Sequence, residues 1–171
     1  GAKHHRCPAR AAWRRRTVMK YLSESTGRGG IYAKMVADSI SPDGIRLSTL
    51  ELNYPRFIHA EFMTHRVFSR NASSNRAIPT KRLIDQIVNE PALPIHWGKN
   101  KKGMQADEEF SESECEKFTH DWREFAKLAA QMAKKFADAG LHKQSANRVL
   151  EPFQFIRVVV TATEWENFFS L

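Results

Sequence analysis

The sequence predicts a single α/β (α+β) domain, on three observations. Two segments, IRLSTLELNY at 45–54 and FQFIRVVVTAT at 153–163, are rich in alternating apolar and β-branched residues and read as strands. Between them, residues 113–139 carry apolar side chains at steps of four and three, the period of a long amphipathic helix. The length, 171 residues, is that of one domain with its own core, and no apolar run approaches the roughly 18 residues needed to span a membrane.

Residues 1–18, GAKHHRCPARAAWRRRTV, hold six Lys or Arg and no acid. They supply most of the net charge of +8, leaving 21 basic against 19 acidic side chains in residues 19–171. Such a segment is a basic disordered extension: a nucleic-acid arm, a transit-like presequence, or upstream translation or a cloning remnant ahead of a natural start at Met19. The last is the preferred expectation, so the domain is taken as 19–171. Cys7 and Cys115 form neither a disulfide framework nor a metal-ligand pair, which points to a reducing, cytoplasmic compartment; His4 and His5 beside Cys7 are tag-like.

The GRGG at 27–30 is a break, 31–40 is mildly apolar, and SPDG at 41–44 has turn chemistry. Within 45–54, Ile45 and Leu47 lie on one phase and Leu50, Leu52 and Tyr54 on the other, so a slip or bulge is expected near Ser48 and Thr49. Pro55 suits the first turn of a helix, and PRFIHAEFMTHR sets Ile58, Glu61, Phe62 and His65 on one face. Residues 77–91 read as a short helix between prolines with Leu83, Ile84 and Ile87 inward. Residues 91–109 read as a loop, either a functional flap or a plain surface excursion.

In the helix from about Ser113 to Ala139, Phe118, Trp122, Phe125, Ala129, Met132 and Phe136 form a stripe for core or subunit-interface packing, and Gly140 is its stop. KQSANRVLEP at 143–152 is a short helix ending before Pro152. EWENFFSL begins another after the second strand.

The chemistry concentrates in Thr64–Arg76: one histidine, three arginines, three serines and two asparagines without a carboxylate. Forked donors and small side chains, Arg66, Arg70 and Arg76 with Ser69, Ser73 and Ser74, suit a polyanion. The plain alternative is a solvated basic loop, or one salt-bridged to the acidic stretch 107–116. His65 follows an apolar face, where a lone histidine is usually structural, and its place before Arg66 adds a functional reading. Arg148 and Asn167 are unremarkable alone.

The run HRVFSRNASSNR resembles the signature of flavin-dependent thymidylate synthases, an Arg-His-Arg triplet followed by serine, an asparagine-glutamate pair, a second serine and an arginine. His65, Arg66, Ser69, Asn71, Ser74 and Arg76 match it at the same spacing. The preceding YPRFIHAEFMT resembles that family's proline-started helix. SANRVLEPFQFIRVVVTATEWENFFSL resembles its Ala-Arg-x-x-Leu-Pro segment, strand and Asn-containing helix, so the resemblance covers most of residues 35–171.

The resemblance implies a thymidylate synthase-complementing protein fold, a central, mostly antiparallel sheet flanked by helices, assembled as a cytoplasmic homotetramer with shared active sites. It implies reductive methylation of dUMP to dTMP, with methylenetetrahydrofolate as carbon donor and FAD, reduced by NADPH, as hydride source. No cysteine nucleophile is needed, which agrees with the settings of Cys7 and Cys115. Carried over, Thr64, His65, Arg66, Asn71 and Asn167 are the flavin-binding positions, and Glu61, Ser73, Ser74, Arg76 and Arg148 the dUMP-binding positions. No metal and no membrane are implied.

Departures mark a diverged, phage-like branch: Thr64 replaces the first arginine of the triplet, Ala72 the glutamate, Ala77 a tyrosine, and Glu61 a glutamine that touches the nucleotide. The family's uracil-orienting arginine falls beyond Leu171, so the expectation is a domain whose C-terminal part is missing and no catalytic assignment within this chain. Two other functions remain open: a sibling flavoenzyme transferring another one-carbon unit to a pyrimidine nucleotide, motivated by the departures, and a non-catalytic nucleotide or nucleic-acid binding module, motivated by the basic segment.

Overall fold

The computed structural model describes residues 23–103 and 105–170; the basic segment 1–18, Met19, and Cys7 with His4 and His5 lie outside the described residues. Five strands form one sheet: β1 (Glu24–Thr26), β2 (Tyr32–Ile40), β3 (Arg46–Pro55), β4 (Ser69–Ala72) and β5 (Phe155–Ala162). Their order is β1-β2-β3-β5-β4, every neighbouring pair antiparallel. With helices against it, this is the expected α+β class.

The two strands read from the sequence are the sheet's centre, paired without a break from Ser48↔Ala162 to Pro55↔Phe155. That register sets Leu50, Leu52 and Tyr54 opposite Val160, Val158 and Ile156, so one face is apolar across both strands. Phe62 and Phe68 cover this face, with Trp165 and Phe168 packed against them. The other face is polar: Thr49 and Thr161 share a hydrogen bond of 2.8 Å, and Tyr32 donates to Glu51 at 2.8 Å.

The irregularity expected near Ser48 and Thr49 sits on the neighbouring strand. Pairing slips between Met35 and Ala37 of β2, across from Leu50 and Thr49, while β3 stays regular against β5. Ile45, which suggested the second apolar phase, precedes β3 and is exposed. The polar run read as a loop contains β4, an edge strand held by its backbone ladder rather than by apolar side chains.

The helix expected over 55–66 is shorter. A 3-10 turn, Arg56–Ile58, leads into the single turn α1 (His59–Phe62). Arg70 then donates to the carbonyls of His65 and Met63, the groups a continuing helix would use. The segment 143–152 likewise splits into α4 (Lys143–Ala146) and a 3-10 helix, Asn147–Phe153, that includes Pro152. The chain's last helix in the described residues is α5 (Glu166–Phe169).

A second apolar cluster joins α2 (Thr80–Asn89), α3 (Glu112–Asp138) and the 3-10 helix through Leu83, Ile87, Ala126, Ala130, Ala133, Leu150 and Phe153. The small alanines allow close approach of the three helices. Ser111 starts α3 with a capping box, its N–H donating to Glu114 at 3.0 Å, and Gly140 (φ 81°) follows its end. The expected stripe divides: Trp122 and Ala129 pack inward and Phe118 meets Trp97 and Phe110, while Phe125 and Met132, 68% and 43% exposed, face outward beside Leu128.

Residues 91–103 and 105–109 fold back on one another as a strap. A bridge between Gly98 and Glu109 is flanked by the pairs His96–Glu109, Lys99–Glu108 and Lys101–Asp107. A side chain at Gly98 would strike Ala106. The acids at 107–109 therefore pair within the strap and not with the polar run. Among the described residues no helix is long and apolar enough to cross a membrane, and no group of His, Cys, Asp or Glu could hold a metal ion.

Candidate functional site

Two clefts flank α1. The first, of about 320 Å³, is lined by Arg56, His59, Ala72, Ser73, Ser74, Asn75, Arg76, Gln144, Arg148 and Ile156. It brings together four of the sequence-derived nucleotide positions, Ser73, Ser74, Arg76 and Arg148, from two segments more than seventy residues apart in the chain.

The ladder of β4 extends one residue further, with the Ser73 N–H donating to the Arg157 carbonyl at 2.9 Å and the Arg157 N–H to Ser73 Oγ at 3.3 Å. The chain then turns, the Ala77 N–H donating to the Ser74 carbonyl at 3.0 Å. Buried Asn147 locks that turn from the 3-10 helix, its amide donating to the carbonyls of Asn75 (2.9 Å) and Ile78 (3.1 Å). The residue after it, Arg148, lines the same cleft as Arg76.

Three guanidinium groups meet at this cleft, and one carboxylate stands behind them. Glu151 Oε1 accepts from Arg148 at 2.9 Å, Asn75 at 2.8 Å and Arg56 at 3.3 Å. His59 adds a nearby ring whose Nδ1 lies 2.8 Å from the Tyr54 hydroxyl. Burial, then the charges of Arg56 and Arg70, hold the His59 imidazolium below its ordinary range, and burial pushes the Tyr54 hydroxyl up. The ring is neutral at neutral pH, so two positive charges of the cleft stay uncompensated. Exposed hydroxyls, forked donors and that charge suit a phosphate monoester.

The second cleft, of about 380 Å³, is lined by His65, Val67, Phe68, Trp165, Asn167 and Phe168 with Thr163, Glu164 and Glu166. His65 lies stacked on Phe68 at 5.6 Å between centroids and meets the edge of Phe168 at 5.1 Å. Trp165 lies 4.8 Å from Phe68 and donates its indole N–H to the Ala162 carbonyl. His65 and Asn167, two of the positions assigned to flavin, thus meet here. Flat aromatic walls and a half-buried imidazole fit the planar ring of a flavin, whereas Glu164 and Glu166 do not fit a pyrophosphate, so the fit extends to the ring portion.

The remaining positions stand apart from both clefts. Thr64 is exposed and donates its hydroxyl to the Glu61 carbonyl at 2.7 Å; Glu61 is also exposed, and neither lines a cleft. Arg66 is exposed, and Asn71 lies opposite Val159 on the sheet's polar face. Of the three arginines in the polar run, Arg76 reaches the first cleft while Arg70 is engaged by carbonyls. Cys115 is a poor nucleophile: desolvation, then Glu109 and Glu114, raise its thiol, which donates to the Phe110 carbonyl.

Sequence reasoning passed over Arg56, His59, Asn75, Gln144 and Glu151. The one available signal was the Arg56-x-x-His59 spacing after Pro55, which places two polar groups on one side of a turn.

No protein-family model and no curated protein match the chain. Solved structures do. The crystal structure of a UMP/dUMP methylase PolB from Streptomyces cacaoi bound with 5-Br UMP aligns at TM-score 0.65 and 16% identity, over 80% of this chain and 73% of that one. The 5-Br dUMP-bound structure of PolB aligns at TM-score 0.54 and 17% identity, over 69% of this chain and 50% of that one. The chain shares the fold of these structures.

Proposed function

We propose that the chain binds a pyrimidine nucleoside monophosphate, dUMP, and serves its reductive methylation at uracil C5 as a flavin-dependent thymidylate synthase. The observation that carries this reading is the convergence of Arg56, Arg76 and Arg148 with Ser73 and Ser74 on one cleft. The shared fold supports it, since PolB is a methylase of UMP and dUMP whose crystals hold brominated forms of both nucleotides.

In this reading Ser73, Ser74, Arg76 and Arg148 take the phosphate, with Arg56 and Asn75 completing the wall. His65 and Asn167, with Trp165 and Phe168, hold the ring of FAD. Bound there, FAD supplies the hydride. The net reaction moves the methylene carbon of methylenetetrahydrofolate to C5 and adds the hydride of NADPH to complete the methyl group; the proton displaced from C5 and one proton from solvent balance the two folate nitrogens that the carbon leaves, giving dTMP, tetrahydrofolate and NADP⁺. This chain's own part is positioning and charge complementarity: the arginines fix the nucleotide, and the neutral His59 beside Tyr54 adds no third free charge. The assembly in this reading is a cytoplasmic homotetramer, with the exposed row Phe125, Leu128 and Met132 on α3 as one seam.

Calorimetric titration with dUMP, UMP and deoxyuridine tests the reading. The nucleotide should bind at least about tenfold more tightly than the nucleoside, because each charge-assisted contact contributes roughly 1.5–3 kcal/mol. Equal affinity for nucleoside and nucleotide would sink it. Visible absorption after adding FAD, and product analysis with methylenetetrahydrofolate and NADPH, then separate flavin-dependent methylation from simple nucleotide binding and dUMP from UMP as substrate.

A further inference from the structure

We propose that Glu151 is the positioning residue of the arginine cleft: its carboxylate fixes Arg56 and Arg148 in the poses that receive the phosphate. The inference rests on the nucleotide reading above and assigns a role to a residue that lines neither cleft. Arg56 follows β3 on a 3-10 turn and Arg148 belongs to the 3-10 helix before β5; the Arg56 N–H donates to the Gln154 carbonyl at 2.8 Å and so joins the two backbones, while the two guanidinium groups meet through Glu151. Two like charges brought to one wall repel each other. A single oxygen between them removes that cost and ties both to a third donor, Asn75, in the turn that carries Ser73, Ser74 and Arg76.

The burial of the partners fits this role. Arg56 and Glu151 have side chains only 21% and 27% exposed, so their pair is screened less than a surface bridge, while Arg148 at 60% keeps most of its surface for a ligand. Asn75 is buried and has one Glu151 contact, which couples the carboxylate to the turn. The cleft thus keeps three cations on one wall at the expense of one neutralised charge, leaving the two that match a phosphate monoester dianion.

A carboxylate near an anion site would ordinarily repel the anion, and this gives the test its sign. Affinity for dUMP is measured by calorimetry for the wild-type chain, Glu151→Ala, Glu151→Gln, Arg148→Ala and the Glu151→Ala/Arg148→Ala double variant, each with a melting curve. Positioning predicts that Glu151→Ala weakens dUMP by about tenfold or more. Glu151→Gln should recover part of the loss because its amide oxygen still accepts from Asn75 and Arg148. The two alanine changes should be strongly non-additive, since each disables the same contact. Unchanged or tighter binding in Glu151→Ala, or additivity in the double variant, overturns the proposal, and a lowered melting point with unchanged affinity does so too. If Glu151→Ala fails to fold, Glu151→Gln and Glu151→Asp decide: the shortened Asp should lose affinity by several-fold, and wild-type affinity in both overturns the role. A wild-type chain that binds neither dUMP nor UMP overturns the nucleotide reading itself, and the role of Glu151 with it.

Discussion

The two clefts on either side of α1 are built by opposite means. The arginine cleft is made by polar tethers: Asn147 holds the turn at Asn75 and Ile78, and Glu151 holds the arginines. The aromatic cleft is made by packing, with His65, Phe68, Trp165 and Phe168 in mutual contact on the apolar face of the sheet. One short helix and the turn after it join them, for His59 lines the first, His65 the second, and Phe62 between them belongs to the core. Charge placed by hydrogen bonds suits a small, highly charged ligand, and flat apolar walls suit a planar one, which is the division of ligands the proposed function makes between the clefts.

The sharpest way to break this contrast is from below. Leu150 is fully buried under the 3-10 helix that carries Arg148 and Glu151, and Leu150→Ala should cost roughly 2–5 kcal/mol in denaturant unfolding. The same variant should loosen nucleotide binding more than flavin uptake, because its cavity opens beneath one cleft only. Comparable losses in both would show that the clefts are one mechanical unit.

Next in size, Arg76→Ala should weaken dUMP about 10- to 100-fold, the equivalent of a charge-assisted bond, and leave the absorption change on adding FAD within about twofold. Conversely His65→Ala should reduce FAD retention about fivefold, an aromatic contact's worth of about 1 kcal/mol, with dUMP affinity held within about twofold. Crossed effects of either variant would dissolve the division of labour between the clefts.

The smallest effect concerns pH. His59 titrates lower in the folded chain than in the unfolded one, chiefly through burial. Below the unfolded value of about 6.5 the unfolded chain therefore binds the extra proton first, and stability falls as pH drops from there toward the folded value. Above about 6.5 the term vanishes. Melting temperatures between pH 5 and 8 should show this fall, and His59→Gln should flatten it.

The sequence made the centre of the fold legible and hid its periphery, for physical reasons. β3 and β5 were readable because both faces of a central strand are written in its side chains. β4, Ser-Arg-Asn-Ala, is an edge strand whose only apolar member is an alanine, and its pairing is carried by backbone groups that any sequence possesses. The helix stripe on α3, read as core or subunit-interface packing, was legible by its large residues at regular steps, and Trp122 and Ala129 pack inward; the buried face itself is made of Ala126, Ala130 and Ala133, whose small size gives a weaker signal. Ser73, Ser74, Arg76 and Arg148 could be named in advance because they sit in ordered motifs. Arg56 and Glu151 could not, since their meaning lies in a contact between residues 95 positions apart.

The long separation within the central ladder also sets a timetable for the chain's birth. β3 pairs with β5 across about a hundred intervening residues. At roughly 5–20 residues per second, β3 waits on the order of 5–20 s after synthesis before its partner has even been made. The β2–β3 hairpin, closed by the turn at Ser41–Gly44, and the packing of α2 on α3 can form in that interval; the ladders that β5 makes with β3 and β4 cannot. Leu50, Leu52 and Tyr54 spend those seconds without Val160, Val158 and Ile156 beside them, a sticky ribbon on a ribosome-bound nascent chain. Slower translation should lengthen that exposure, and added chaperone capacity should raise the soluble yield.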